Sequence, residues 1–271
     1  MTRIFTVLFI VSSMIIACSK NAVTGRNQFK LLPESELQAM ATQQYQQFLS
    51  TNKVVSNANN RDAEMVRRVG QRIKNAVEQY YASIGKSSEL TGYKWEYNLV
   101  EDKAINAWCM PGGKIVVYTG LLPITQNEAA LAFVMGHEVS HAIFQHGNER
   151  ISQQLGAQVV GTGLAVALSN KPAETQNAFM LAYGVGATAG VLLPFSRKHE
   201  LEADRFGMRW AAMAGYNPQE AIPLWQRMEK AAEGNAKPPE FLSTHPSEGR
   251  RIEQLQKYMD EAMRYYKPVN R

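Results

Sequence analysis

Apolar positions recur at helical spacing along most of this chain and at strand spacing in one short part of it. Glu34 to Leu49 sets Leu37, Met40 and Ala41 on one side of a predicted helix. Arg61 to Tyr81 does the same with Met65, Val66, Val69, Ile73, Ala76 and Val77. Tyr93 to Val100 alternates as a strand does. Pro111-Gly112-Gly113 is turn chemistry, and the runs on either side, from Ile105 and from Lys114 to Tyr118, predict a hairpin. The next helix is different in kind. Leu131, Phe133, Val134, Met135, Val139, Ile143 and Phe144 lie nearly all round it, the mark of a buried helix. Asn127 is its predicted N-cap and Gly147 its predicted C-terminal stop. Ile151–Leu168 and Ala178–Leu193 are apolar and rich in Gly and Ala, with Asn170-Lys171-Pro172 between them. Each is marginal for crossing about 30 Å of hydrocarbon. They read as a tightly packed helical hairpin, and whether 157–193 touches a membrane stays open. His199–Gly207 starts a further helix, and Ser247–Tyr266 is the last. The fold class is α+β, mostly α, with a small antiparallel sheet beside the buried helix.

The N-terminus breaks this pattern. Arg3 precedes a short apolar core, Ile4 to Ala17, which is too short for an ordinary membrane span. Ala17-Cys18 resembles a bacterial lipobox, with Ile16 where a small residue is preferred. Residues 1–17 are therefore expected to be a lipoprotein signal peptide and Cys18 the lipidation site, with an ordinary secretory signal as the alternative. Residues 18–33 are polar and read as a tether, which leaves 34–271 as the folded domain. With Cys18 lipidated, Cys109 lacks an intrachain partner, so a disulfide framework is excluded.

Composition adds little. The 271 residues are 45% apolar, ordinary for a chain with a real core, and the formal charge is +5. Basic residues are dispersed, so a nucleic-acid partner is not expected.

The chemistry lies in the buried helix. Glu138 is its only formally charged residue between Ala129 and Asn148. An uncompensated buried carboxylate costs several kcal/mol. His137 and His141 stand at i and i+4, one turn or roughly 6 Å apart on one face. In H-E-x-x-H two imidazoles share one zinc ion, and the glutamate beside it takes a proton from a bound water. A third ligand is needed. Glu200 and Asp204 share a face of the later helix, whereas Glu202 points elsewhere. Glu200 completes a His-His-Glu set, and Asp204 one turn on can fix the tautomer of a ligand histidine. His146 is the rival third ligand. The metzincin spacing requires glycine where Phe144 stands and histidine where Gly147 stands, so His146 reads instead as a helix C-terminal residue interacting with the dipole.

Four stretches together resemble metallopeptidase family 48, the gluzincins that include HtpX, the CAAX prenyl endopeptidases and the BepA- and Oma-like proteases. They are Asn106-Ala107 to Gly113, His137-Glu138-Val-Ser-His141, Glu200-x-x-Ala203-Asp204, and Thr244-His245-Pro246 with Arg251. The departure is Trp108-Cys109, where relatives carry Phe and a small apolar residue. The resemblance implies a gluzincin fold, one Zn2+ per chain on His137, His141 and Glu200, and Glu138 as the base. It also implies a second shell of Asp204 and Arg251, and a substrate-binding edge strand at Asn106 and Ala107. His245 has two readings: a donor to the oxyanion, or an occupant of the metal's fourth position in a latent state. The expected function is a metalloendopeptidase of the soluble lipoprotein branch that cleaves unfolded or misassembled envelope proteins. It would be lipid-anchored in the bacterial cell envelope, at the outer membrane facing the periplasm. The competing reading is a non-enzymatic zinc lipoprotein that assists envelope assembly.

Overall fold

The computed structural model describes residues 18–56, 59–153, 155, 193–233, 239, 241–242, 245 and 250–268. The signal-peptide expectation for 1–17, and the apolar stretch 157–193 up to its last residue, lie outside them. The chain forms two compact units, Met1–Glu34 with Gln145–His199, and Ser35–Phe144 with Glu200–Arg271.

In the first unit, the residues expected to form a tether instead make a two-stranded antiparallel hairpin, β1 (Cys18–Lys20) with β2 (Asn27–Phe29). Its turn is specified locally. The Asn21 side chain accepts from the amides of Val23 and Thr24, both at 2.9 Å, and Gly25 adopts a φ of 70°. The buried carboxylate of Glu149 joins this hairpin to His199. Arg26 donates to it twice, at 2.7 and 2.8 Å, Gln28 donates at 3.2 Å, and His199 lies at 3.1 Å. Burial alone would raise the Glu149 pKa, but the hydrogen bonds from His199 and Arg26 outweigh it and hold the group at about 2 against an ordinary 4.5. The folded value is depressed, so the stabilisation is complete above about pH 4.5 and drains away as pH falls through about 2. It amounts to about 3 kcal/mol. Glu149→Gln should therefore narrow the gap between thermal midpoints measured at pH 7 and pH 3. An unchanged gap would assign the acid sensitivity elsewhere.

The second unit carries α1 (Glu34–Thr51), α2 (Arg61–Ser83), β3 (Glu96–Val100), β4 (Ala107–Met110), β5 (Lys114–Tyr118) and α3 (Glu128–Ile143). It continues with most of α4 (Leu193–Met213), then α5 (Ala221–Ala232) and α6 (Arg251–Met263). The hairpin forms as its turn predicts, with Gly112 and Gly113 both left-handed at φ 81° and 79°. The sheet is not purely antiparallel. Its order is β3-β5-β4, with β3 parallel to β5 and β4 antiparallel. The hairpin strand β5 takes the centre, where all five of its residues are buried, and β4 is left at an edge. Strand alternation then sorts the side chains. Val116, Tyr118, Trp108 and Met110 pack with Tyr45 and Phe48 of α1. Ala107 and Cys109 point to the opposite face, and β4 packs against α3.

Asn127 caps α3 as expected, accepting from the Ala130 amide at 2.8 Å. The far end differs. The helix stops at Ile143, four residues before Gly147, and the left-handed residue is Gln145, with φ 55°. Phe144 is buried against Phe206, ring centroids 4.8 Å apart, and this packing fixes the exit. His146 accordingly is not a terminal residue of this helix. It stacks on His199 at 4.3 Å within the first unit.

Two glycines bring α3 and α4 together. A Cβ on Gly136 would lie 2.8 Å from the Gly207 carbonyl oxygen. One on Gly207 would lie 2.9 Å from the amide nitrogen of His137 and 3.2 Å from the Phe133 oxygen. A methyl at either position would meet backbone, which cannot swing aside. Ser140 ties the same crossing, donating to Gly136 O at 2.8 Å and accepting from Trp210 Nε1 at 3.0 Å. Among the described residues, no helix is long and apolar enough to cross a membrane.

Candidate metal centre

The close crossing sets His137 and His141 of α3 opposite Glu200 and Asp204 of α4. The Nε2 atoms of the two histidines are 3.1 Å apart. Glu200 places Oε2 3.4 Å from His137 Nε2 and Oε1 3.4 Å from His141 Nε2. His245 brings a fourth donor, its Nδ1 being 3.3 Å from His137 Nε2 and 3.1 Å from both Glu200 oxygens. All four donor atoms lie within 4.8 Å of one another. Four ligand atoms held tetrahedrally at about 2.0–2.1 Å from an ion are separated by about 3.3 Å. The observed spacings match that figure, so the residues fit a small divalent cation.

The surrounding groups orient these donors. Asp204, 1% exposed, lies 2.9 Å from His137 Nδ1, which turns the Nε2 lone pair of that ring inward. Arg251 grips Asp204 with Nε to Oδ2 at 2.6 Å and Nη2 to Oδ1 at 2.7 Å. It also reaches Glu200 Oε2 at 3.2 Å and donates to the His245 carbonyl at 3.1 Å. Burial would raise both carboxyl pKa values. For Asp204 the charge of Arg251 and the bond to His137 outweigh it. For Glu200 the three histidines do, and they hold it well below the usual range. Burial would lower His137, yet Asp204 and Glu200 bring it up to about 9, so proton and metal compete for one lone pair.

Glu138 differs from its neighbours. It is 3% exposed, and among the described residues its Oε1 makes no hydrogen bond. It lies 3.4 Å from His245 Nε2 and 4.0 Å from His137 Nε2. Burial raises its pKa, His245 and His137 oppose that rise, and Glu200 adds to it, for a net increase. An elevated carboxylate with a vacant acceptor atom beside a donor cluster is placed to take a proton.

Every residue expected at the centre converges in the second unit. Glu202 is half-buried and outside the donor cluster. Asn106 and Ala107 lie at the start of the edge strand with their side chains buried. Asn106 O accepts from Tyr118 N, so the Ala107 amide turns outward, where the Asn106 side chain accepts from it at 2.9 Å. Trp108 faces α1 and away from α3, so this departure from the family pattern points away from the helix that carries His137 and His141. Cys109 is on the α3 side. Burial and the charge of Glu138 push its thiol pKa well up. Sequence reasoning missed Phe241, whose ring lies 4.7 Å from His245, and all of α5, which supplies Trp225. The signal for α5 was Leu224, Trp225 and Met228 at helical spacing after Asn217-Pro218.

The profile of Peptidase family M48 matches residues 68–259. The mitochondrial metalloendopeptidase OMA1 of Schizosaccharomyces pombe is 35% identical over 175 residues, 65% of this chain and 50% of its own length. The mitochondrial metalloendopeptidase OMA1 of Bos taurus is 29% identical over 262 residues, 93% of this chain and 46% of its own. The beta-barrel assembly-enhancing protease of Escherichia coli is 29% identical over 176 residues, 63% of this chain and 36% of its own. The chain spans about a third to a half of the length of these relatives. They overturn one expectation. A lipid-anchored place at the bacterial outer membrane does not stand, because the stronger similarities are to mitochondrial proteins.

Proposed function

We propose that this chain, which belongs to peptidase family M48, is a zinc-dependent metalloendopeptidase acting on polypeptides presented in extended form. The observation that carries the reading is the cluster of four donors at tetrahedral spacing beside the buried Glu138 carboxylate, whose Oε1 makes no hydrogen bond among the described residues. His137, His141 and Glu200 would hold the ion. A divalent ion there supplies Lewis acidity to a scissile carbonyl and to a water. Glu138 accepts the proton of the attacking water and returns it to the leaving amine. Asp204 keeps His137 in the tautomer that faces the donor set, and Arg251 fixes Asp204. The outward backbone groups of β4 pin the substrate as an added strand, with Asn106 and Ala107 at its start. Backbone pinning is indifferent to most side chains, which supports unfolded or misassembled proteins as substrates. A non-enzymatic zinc protein would be betrayed by a lost base or ligand, and the cluster retains both.

The position of His245 favours a second role for that residue. As a member of the donor set it caps the centre, whereas an oxyanion donor would stand back from it. His245→Ala separates the two. Removing a cap raises turnover of unfolded casein, while removing an oxyanion donor lowers it by about 10²–10³-fold. The geometry favours the rise. In the same assay a zinc chelator should abolish cleavage and added zinc should restore it. Cleavage that survives full chelation would reject the function.

A further inference from the structure

Trp225 is claimed by none of the chemistry above, yet it touches the group that organises the donors. It is 1% exposed on α5, and the Arg251 guanidinium lies 3.9 Å from the centre of its ring. Arg251 is itself buried, and its N–H groups are directed at Asp204, Glu200 and the His245 carbonyl. Those bonds fix the guanidinium within its own plane and leave tilt out of the plane as its free motion. An aromatic face stacked on that plane removes the tilt, and a desolvated indole is the strongest such partner. The same ring lies 6.0 Å from Phe241, which packs on His245.

The indole nitrogen gives independent support. Trp225 Nε1 is buried and, among the described residues, has no hydrogen-bond partner. A buried N–H left unsatisfied is unfavourable. The side chain is therefore not held for its polar atom, and its π face is what the site uses.

We infer that Trp225 is a positioning residue of the metal centre. It acts through Arg251 to hold Asp204 and Glu200 where His137 and the ion need them. This rests on the metal-site reading above and adds a residue to it. It predicts that the π face, beyond simple bulk, sets metal affinity and geometry.

The test compares the full chain with Trp225→Leu and Trp225→Phe. Zinc affinity is measured by chelator competition, geometry by the visible absorption of the cobalt-substituted protein, and fold by the melting temperature of the metal-free chain. Trp225→Leu should weaken zinc binding by about 10–100-fold, the range for outer groups that orient ligands. It should also shift the cobalt bands and lower kcat more than it changes KM. Trp225→Phe keeps a face and should recover most of the affinity while remaining measurably weaker than wild type. If both variants bind zinc as wild type does and only the melting temperature falls, Trp225 is a core residue and the inference is overturned. Should the leucine variant not fold, the phenylalanine variant decides alone, and wild-type affinity with unshifted cobalt bands overturns it. Absence of zinc binding in the wild type would be a different failure, that of the metal-site reading.

Discussion

Glu138→Gln should leave the metal in place and lower kcat/KM for unfolded casein by about 10²–10⁴-fold, the usual worth of a positioned general base. The substitution is close to isosteric, so packing around α3 should hold. It removes the one capacity the mechanism asks of this residue, which is to accept a proton and give it back. Glu138 is not one of the four donors, so the amide should leave the donor set intact. Its burial gives the contrast its force. The environment raises the carboxyl pKa and, among the described residues, leaves one oxygen without a hydrogen bond, an arrangement that costs stability and is typical of functional sites. Metal content by elemental analysis and cleavage by gel electrophoresis settle the matter together. Undiminished cleavage by a zinc-loaded glutamine variant would remove Glu138 from the mechanism.

Glu200→Ala has the second large effect and acts on the other quantity. Its two oxygens each lie 3.4 Å from a different histidine of α3, so one side chain closes the donor set from α4. Without it, α3 presents two imidazoles with only His245 opposite them. The variant should lose roughly 10² to 10³-fold or more in metal affinity, beyond the range of groups that merely orient ligands. After dialysis against a mild chelator it should retain little metal. Glu202→Ala, two residues along the same helix, is the control and should keep full stoichiometry. The reverse outcome would move the third ligand.

The centre was legible because its chemistry conflicts with its setting. A carboxylate and two histidines on a helix that is apolar all round require compensation, and that requirement led to Glu200 and Asp204. The Asn127 cap and the Pro111-Gly112-Gly113 turn were legible because each acts over a few residues. The pairing of β3 with β5 was not, since strand alternation says which face is buried but not which neighbour is chosen. The helix end at Ile143 was misjudged because burial of Phe144 against Phe206, sixty-odd residues later, outweighs a nearby glycine. The hairpin of β1 and β2 was hidden by polar composition. What orders it is a carboxylate at Glu149, distant in sequence.

The bare contact between Gly136 and Gly207 also acts as a gauge. Gly136 directly precedes His137, and Gly207 follows Asp204 by three. With main chain against main chain, the gap between the two donor-bearing helices cannot shrink, and widening it would break the packing that holds them. The bite of the cradle is thus set by backbone thickness and not by adjustable side chains. Ions that want six to eight oxygens at about 2.3–2.6 Å, such as calcium, fit this compact set of three imidazoles and one carboxylate poorly. The spacing of the two helices that carry His137, His141 and Glu200 is thus fixed by two residues with no side chain at all.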